Sequence, residues 1–135
     1  MMTDSEIQGA REDLAAVFRW SARLNMHEAV SNHFSFAIND EGTKFLVNPA
    51  GIHFSRVKAS DLVIVDLDEP LPSPEDGGPD PTAAGIHGAM HKNDPHARCV
   101  IHLHPKYITA LSTLEDPTII PIDKNTARFY NRVSY

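Results

Sequence analysis

The sequence has one cysteine, no cluster of basic residues and no long apolar run. A single cysteine, Cys99, cannot form an intramolecular disulfide bond, which favours a reducing compartment. Lys and Arg number 12 against 18 Asp and Glu, and an acidic chain of net charge −6 is a poor nucleic-acid binder. No apolar stretch approaches the roughly 18 residues of a membrane span, and no basic segment leads into an apolar run at the N-terminus. We therefore expect a cytoplasmic protein whose partners include neither nucleic acid nor membrane.

Length and composition predict one domain with a core of its own. The chain has 135 residues, of which 41% are hydrophobic, and we expect residues 1–135 to form this single domain. Five of the 10 prolines lie between Pro70 and Pro81, where they predict one long loop. The other unusual residue is histidine, with 8 copies, so the question is which of them converge.

Hydrophobic periodicity predicts an alternation of helices and strands. A period of three to four residues predicts helices over 5–24, with Ser5 as N-cap, over 82–91, with Thr82 as cap, and from Pro105 onwards. Alternation predicts a hairpin of strands over 33–38 and 44–47, and further strands are predicted over 62–65, 98–102 and 118–122. The run over 62–65 is continuous enough to be covered on both faces. This order predicts an α/β fold whose mixed central sheet is covered by helices on both faces.

The sharpest local motif is the pair His102 and His104, directly before Pro105. Residues i and i+2 of a strand point to the same face, so both imidazoles can bind one cation. The spacing alone leaves a second interpretation open, in which two histidines are hydrogen-bonded or exposed at a strand end. His87 and His91 stand at i and i+4 on a helix, and we expect one of them to face the core and the other solvent.

The remaining residues of chemical interest carry weaker signals. Cys99 lies inside an apolar run, which predicts a small buried hydrophobe rather than a nucleophile. Four histidines stand alone in the sequence, and surface or turn positions are expected for them: His27, His33, His53 and His96.

Five segments, taken together, resemble the class II aldolase/adducin family over about residues 10–115. They read AVSNHFS over 29–35, FLVNPAGI over 45–52, ASDLV over 59–63, TAAGIH over 82–87 and ARCVIHLHP over 97–105. The resemblance implies that family's α/β fold and a homo-oligomer. It also implies a divalent metal, usually zinc, bound by His102 and His104 with a third histidine further along, and a substrate contacted by Asn32, Gly51 and Thr82.

The sequence departs from the aldolase pattern at several of these positions. Ala83 stands where the aldolases carry an acidic residue, and Ala50 and Pro81 replace phosphate-binding residues, so the chain is closer to the adducin-like bacterial branch than to the fuculose phosphate aldolases. No histidine follows His104, so the family domain is expected to be incomplete at its C-terminus.

Two functions remain open on this reading. One is a metal-dependent lyase or isomerase, of aldolase, decarboxylase or dehydratase type, acting on a small hydroxy-carbonyl compound. The other is a non-catalytic adducin-like binding or structural module with a vestigial metal site. The sequence assigns no catalytic residue in either case.

Overall fold

A hairpin of two strands, β1 (His33–Ala37) and β2 (Lys44–Val47), lies at the centre of the fold. The strand β3 (Val63–Asp66) pairs with β2, and β4 (Cys99–His102) pairs with β1, giving the order β3-β2-β1-β4. Three helices accompany the sheet: α1 (Asp4–Arg23), α2 (Pro81–Asn93) and α3 (Lys106–Ser112). None of them is long and apolar enough to cross a membrane.

This computed structural model describes all of residues 1–135, which divide into two compact units. The first unit, Met1–His104, contains the whole sheet together with α1 and α2. The second unit, Pro105–Tyr135, contains α3 and a short 3-10 helix over Thr126–Phe129. All 8 histidines belong to the first unit.

Helix α1 begins at a capping box and covers one face of the sheet. The Thr3 side chain accepts from the backbone N–H of Glu6, and the Glu6 carboxylate accepts from that of Thr3, so the cap lies two residues before the predicted Ser5. On the buried side of α1, Phe18 stacks on Phe34 of β1 with ring centroids 4.4 Å apart. Leu14 and Phe18 therefore form one apolar core with Phe34 and its neighbours on the sheet.

The two faces of the sheet carry different chemistry. Phe34 of β1 faces α1, and because side chains alternate along a strand, His33 and Ser35 face the opposite side, where α2 packs. The register pairs His33 with His102 of β4, which places both imidazoles on the α2 face. A smaller apolar cluster shares this face with them and consists of Phe45, Val47, Val65 and Ala83.

The predicted α/β fold with helices on both faces of a central sheet is confirmed, and four details of it are corrected. All three strand pairs are antiparallel, whereas a mixed sheet was expected, because hydrophobic periodicity identifies strands without fixing their direction. Strand β3 is covered on one face only, since Ile64 is 44% exposed. Residues 118–122 form no strand, and Cys99 lies exposed on β4 rather than buried.

Gly42, in the turn between β1 and β2, has a φ of +67°, and a Cβ added there would overlap the carbonyl oxygen of His91. We expect Gly42→Ala to lower the free energy of unfolding by at least about 1–3 kcal/mol, because a left-handed residue with a side chain is strained even without the overlap. Gly85→Ala, in α2, is the matched control, since its new methyl group meets nothing within 4 Å, and it should stabilise by about 0.5–1 kcal/mol. Urea denaturation of both variants measures this, and equal stability of the two would contradict the packing of the turn on α2.

Candidate metal centre

Histidines from three elements meet between the sheet and α2. His87 and His91 both lie on the sheet-facing side of α2 and are 0% and 3% exposed, so the expectation that one of them faces solvent was wrong. His33 of β1 is also buried, which corrects its predicted surface position. Helical spacing brings the first two together, and strand register brings His33 beside His102.

These side chains form a single file of hydrogen bonds, here called the histidine network: His102, His33, His87, Ser35 and His91. His102 Nδ1 lies 3.3 Å from His33 Nε2, and His33 Nδ1 lies 2.7 Å from His87 Nε2. The Ser35 hydroxyl contacts His87 Nδ1 and lies 2.7 Å from His91 Nε2. At the far end, His91 Nδ1 contacts the carbonyl oxygen of Ala97. The network thus joins β4 to the loop that follows α2.

The carbonyl of Ala97 sets the direction of every hydrogen bond in this network. A carbonyl oxygen only accepts, so His91 donates from Nδ1, and its Nε2 accepts in the neutral ring. The Ser35 hydroxyl must then donate to His91 and accept from His87 Nδ1. Applied to each neutral ring in turn, the same argument gives His33 and His102 their protons on Nδ1. The lone pair of His102 is therefore on Nε2.

The pKa values of these rings agree with a neutral network. Burial, together with the neighbouring His33 and His91, lowers the pKa of His87 from 6.5 to about 3. Burial and His102 lower the pKa of His33 to about 4, against an opposing effect of the Asp80 carboxylate. Burial also lowers the pKa of His91. At neutral pH the rings therefore bind no extra proton, and the tautomer argument applies to them.

His102 and His104 converge at the open end of the network. Their Nε2 atoms lie 2.8 Å apart, and His104 Nδ1 lies 2.6 Å from the Glu28 carboxylate, to which it donates. Each ring thus engages Nδ1 elsewhere and directs Nε2 at the other ring. Two nitrogens on one tetrahedral zinc stand about 3.3 Å apart, since each Zn–N bond is about 2.0–2.1 Å, so a small opening of the pair admits a cation.

The surroundings of the pair have the chemistry of a metal site, with two protein ligands. A metal-bound histidine usually donates its other ring N–H to a carboxylate or a neighbouring acceptor, as His104 does to Glu28 and His102 does to His33. No group of three or more His, Cys, Asp or Glu side chains gathers around a common point. The residues present therefore fit two positions of a divalent cation, and its other positions are left to water, substrate or further protein ligands.

Two of the predicted substrate-contacting residues, Asn32 and Gly51, lie outside the helices and strands. Asn32 is 2% exposed; its Oδ1 accepts from the Glu28 backbone N–H at 2.6 Å, whereas its Nδ2 is buried without a partner. Gly51 is exposed with a φ of +75°, in a turn whose Ala50 N–H donates to the carbonyl of Gly78. Asn32 therefore directly precedes His33 of the histidine network, and the turn that contains Gly51 is bonded to the loop that leads into α2.

Thr82 and Ala83 begin helix α2, and neither extends the site with a free polar group. The N-cap is Asp80 rather than the predicted Thr82, whose hydroxyl and backbone N–H both donate to the Asp80 carboxylate. These two bonds hold the pKa of Asp80 below its ordinary value, which keeps a negative charge near His33. Ala83 is fully buried in the small apolar cluster, so the position that is acidic in the aldolases serves packing here.

Several of these residues were missed by the sequence analysis. His33, Ser35, Glu28 and Asp80 attracted no functional prediction, and only the alternation of His33 with Ser35 along β1 could have linked two of them. His27 and His53, expected to be isolated, lie with their Nε2 atoms 2.7 Å apart, while His96 is exposed as expected. This second pair lies outside the histidine network.

Comparisons with known proteins identify the family. The sequence model described as "Class II Aldolase and Adducin N-terminal domain" matches residues 12–135. A solved aldolase II superfamily protein from Pseudomonas syringae superposes with a TM-score of 0.85 at 30% identity, covering 99% of this chain and 53% of that one. For L-fuculose 1-phosphate aldolase from Glaciozyma antarctica PI12 the TM-score is 0.80 at 26% identity, covering 97% and 54%. The chain therefore belongs to the class II aldolase and adducin family, which confirms the resemblance drawn from its motifs.

The chain spans only part of these relatives. It covers about half of each of the two solved structures, and it is 27% identical over 107 residues to Adducin-related protein 1 of Caenorhabditis elegans, covering 78% of this chain and 15% of that protein. The family thus joins proteins named as aldolases to proteins named as adducins.

The buried neutral histidines predict a loss of stability in acid. Because the pKa of His87 in the folded state, about 3, lies below its ordinary 6.5, the unfolded state binds more protons between these values. The free energy of unfolding should therefore fall as the pH falls below 6.5, and His87→Gln should flatten that slope. His96→Gln, at an exposed position, should leave the slope unchanged. Urea denaturation across this pH range measures both slopes, and an undiminished slope in His87→Gln would show that its burial carries no acid sensitivity.

Proposed function

We propose that this chain forms the His102–His104 half of a divalent metal centre, most simply a zinc centre, in a lyase or isomerase that acts on a small hydroxy-carbonyl compound. The observation that carries the proposal is the convergence of two imidazole Nε2 atoms on rings whose outer nitrogens are both engaged, by Glu28 and by His33. Neither Nε2 atom has any other hydrogen-bond partner on the protein, and imidazole nitrogens suit zinc and its neighbours.

When bound, the cation would supply Lewis-acid polarisation of a substrate carbonyl. The other proposed contacts with the substrate come from this chain's own residues. The unpartnered amide N–H of Asn32 can donate to a substrate oxygen, because its other amide atom is already fixed by the Glu28 backbone. The bond between Ala50 and Gly78 joins the turn at Gly51 to the loop that leads into α2. We propose Gly51 and Thr82 as substrate contacts, the latter through its hydroxyl oxygen, which donates to Asp80 and can still accept a hydrogen bond.

The proposed substrate is not a phosphorylated ketose cleaved as in the aldolases. An acid–base group at position 83 is replaced by a methyl group inside an apolar cluster, so no proton donor or acceptor exists there. Neither Ala50 nor Pro81 offers a side-chain hydroxyl for a phosphate. A decarboxylation or dehydration that uses the cation without an acid at position 83 fits these residues better than aldol cleavage does.

The second candidate is a binding or structural module of adducin type that retains the histidine pair as a vestige. The packing of Ala83 favours it, because a position that carries chemistry in the aldolases has become part of the core. The network behind His102 favours the enzyme, since a vestigial pair has no need of oriented ring nitrogens. In either case we propose a cytoplasmic homo-oligomer; in the enzyme, water, substrate or further protein ligands would complete the coordination of the metal.

The metal proposal is tested by removing each ligand in turn. His102→Ala and His104→Ala should each weaken zinc binding by at least about tenfold, because one histidine and water hold zinc poorly. His96→Ala, which removes an exposed histidine outside the site, should bind zinc as the unaltered protein does. Isothermal titration calorimetry with zinc measures all three affinities. Unchanged binding in both His102→Ala and His104→Ala would contradict the proposal that these residues bind the metal.

The substrate proposal is tested with the zinc-loaded full-length protein. Cleavage of fuculose and ribulose phosphates should be about 10²–10⁴-fold slower than in an aldolase that retains the acidic residue, since general acid–base help is typically worth that much. A coupled assay for the released aldehyde measures the turnover number of both enzymes. A turnover number within about tenfold of the acid-bearing aldolase would mean that another group moves the proton.

A further inference from the structure

The histidine network runs from a buried end to an accessible end. His91, at the first end, is 3% exposed and contacts a backbone carbonyl. His102 and His104, at the other end, are partly exposed. The members between them are fully or almost fully buried, and each ring nitrogen among them has one partner. The hydrogen bonds of such a network can all point one way or all point the other way, depending on which nitrogen of each ring carries the proton. The groups at its two ends determine which of these two arrangements is adopted.

We propose that the network is a positioning device, in which the carbonyl of Ala97 fixes the tautomer of His102 and so keeps Nε2 of His102 free for a cation. This proposal rests on the proposed metal centre and adds positioning residues to it. His87 and Ser35 touch neither the cation nor the substrate; they act on His102 through His33.

The reversed direction is the alternative that the network excludes. If every proton moved to the other nitrogen of its ring, His102 would donate from Nε2 to His104 Nε2, and the converging pair would form an ordinary hydrogen bond. That arrangement satisfies the open end and blocks a cation. It would leave a lone pair of His91 against the Ala97 carbonyl, where burial keeps water away. The observed contacts therefore leave His102 Nε2 without a proton at the end that a cation can reach.

The same geometry argues against a proton conduit. A conduit needs a group at its inner end that takes up or releases a proton, and the network ends on a carbonyl, which does neither. The network therefore fixes the tautomer of His102 on β4 through the histidines of α2, and it does not transfer protons. Its effect on His102 is that of an outer-shell partner, whose loss typically weakens metal binding by about 10–100-fold.

The sharpest test removes one hydroxyl in the middle of the network. In Ser35→Ala, His87 Nδ1 loses its acceptor and the link to Ala97 is broken, so the rings from His87 to His102 can reverse. Long-range ¹⁵N NMR of the zinc-free protein at neutral pH should show His102 protonated on Nδ1 in the unaltered protein and on Nε2 in Ser35→Ala. Zinc binding of Ser35→Ala should be about 10–100-fold weaker. Ser35→Thr, which keeps the hydroxyl, should restore the Nδ1 tautomer.

The matched control is another serine that contacts a histidine outside the network. Ser55 Oγ lies 2.8 Å from His53 Nδ1, and Ser55→Ala should change neither the His102 tautomer nor the zinc affinity. If Ser35→Ala keeps His102 protonated on Nδ1, the positioning proposal fails, whatever the zinc affinity. If the tautomer reverses as expected but the unaltered protein binds no zinc, the positioning holds and the proposed metal centre fails.

Discussion

An imidazole buried in protein must find a partner for each of its two nitrogens, and most of what is distinctive in this structure follows from that constraint. On the α2 face, four imidazole rings and one hydroxyl satisfy this constraint by a linear file of hydrogen bonds. Every buried ring nitrogen in the file therefore has a partner. The file can close at its inner end because a loop carbonyl is available there. At its outer end, the partly exposed rings of His102 and His104 direct their Nε2 atoms at each other, 2.8 Å apart. This accessible end is where we propose that a cation binds; outside the file, His27 Nδ1 and Asn32 Nδ2 are buried without a partner.

The two faces of the sheet are stabilised in different ways. The α1 face is a conventional aromatic core, in which Phe18, Phe34 and Phe54 contact one another, and its contribution comes from apolar surface removed from water. The α2 face places a polar network beside a small apolar cluster, so its stability depends on correct pairing as well as on burial. The histidine network thus lies on one face of the sheet, while the other face is an apolar core. The family's range, from aldolases to adducins, is consistent with a support that stays constant while the polar face changes.

The sequence predicted well whatever depends on neighbours along the chain. The hairpin, helices α1 and α2 and the pairing of His102 with His104 all follow from alternation or helical spacing, which are local properties. It predicted poorly whatever depends on strand register, since nothing in a strand of alternating residues says which partner will lie opposite. The pairing of His33 with His102 is such a case, and it decides that His33 belongs to the site. Position 83 is a third case. The family motif showed that Ala83 replaces the acidic residue of the aldolases, but only the structure shows that its methyl group packs in an apolar cluster.

The contacts of the network also bear on the order of events during folding. Its bonds join residues that are far apart in sequence, with separations of 54 for His33 and His87, 56 for Ser35 and His91, and 69 for His33 and His102. Loops of that length close late, after local helices and the hairpin have formed. The His102–His104 motif, by contrast, has a separation of only 2 and is available in the unfolded chain. The motif is thus present before the rings are oriented, and the orientation of His102 requires β4 to dock against β1.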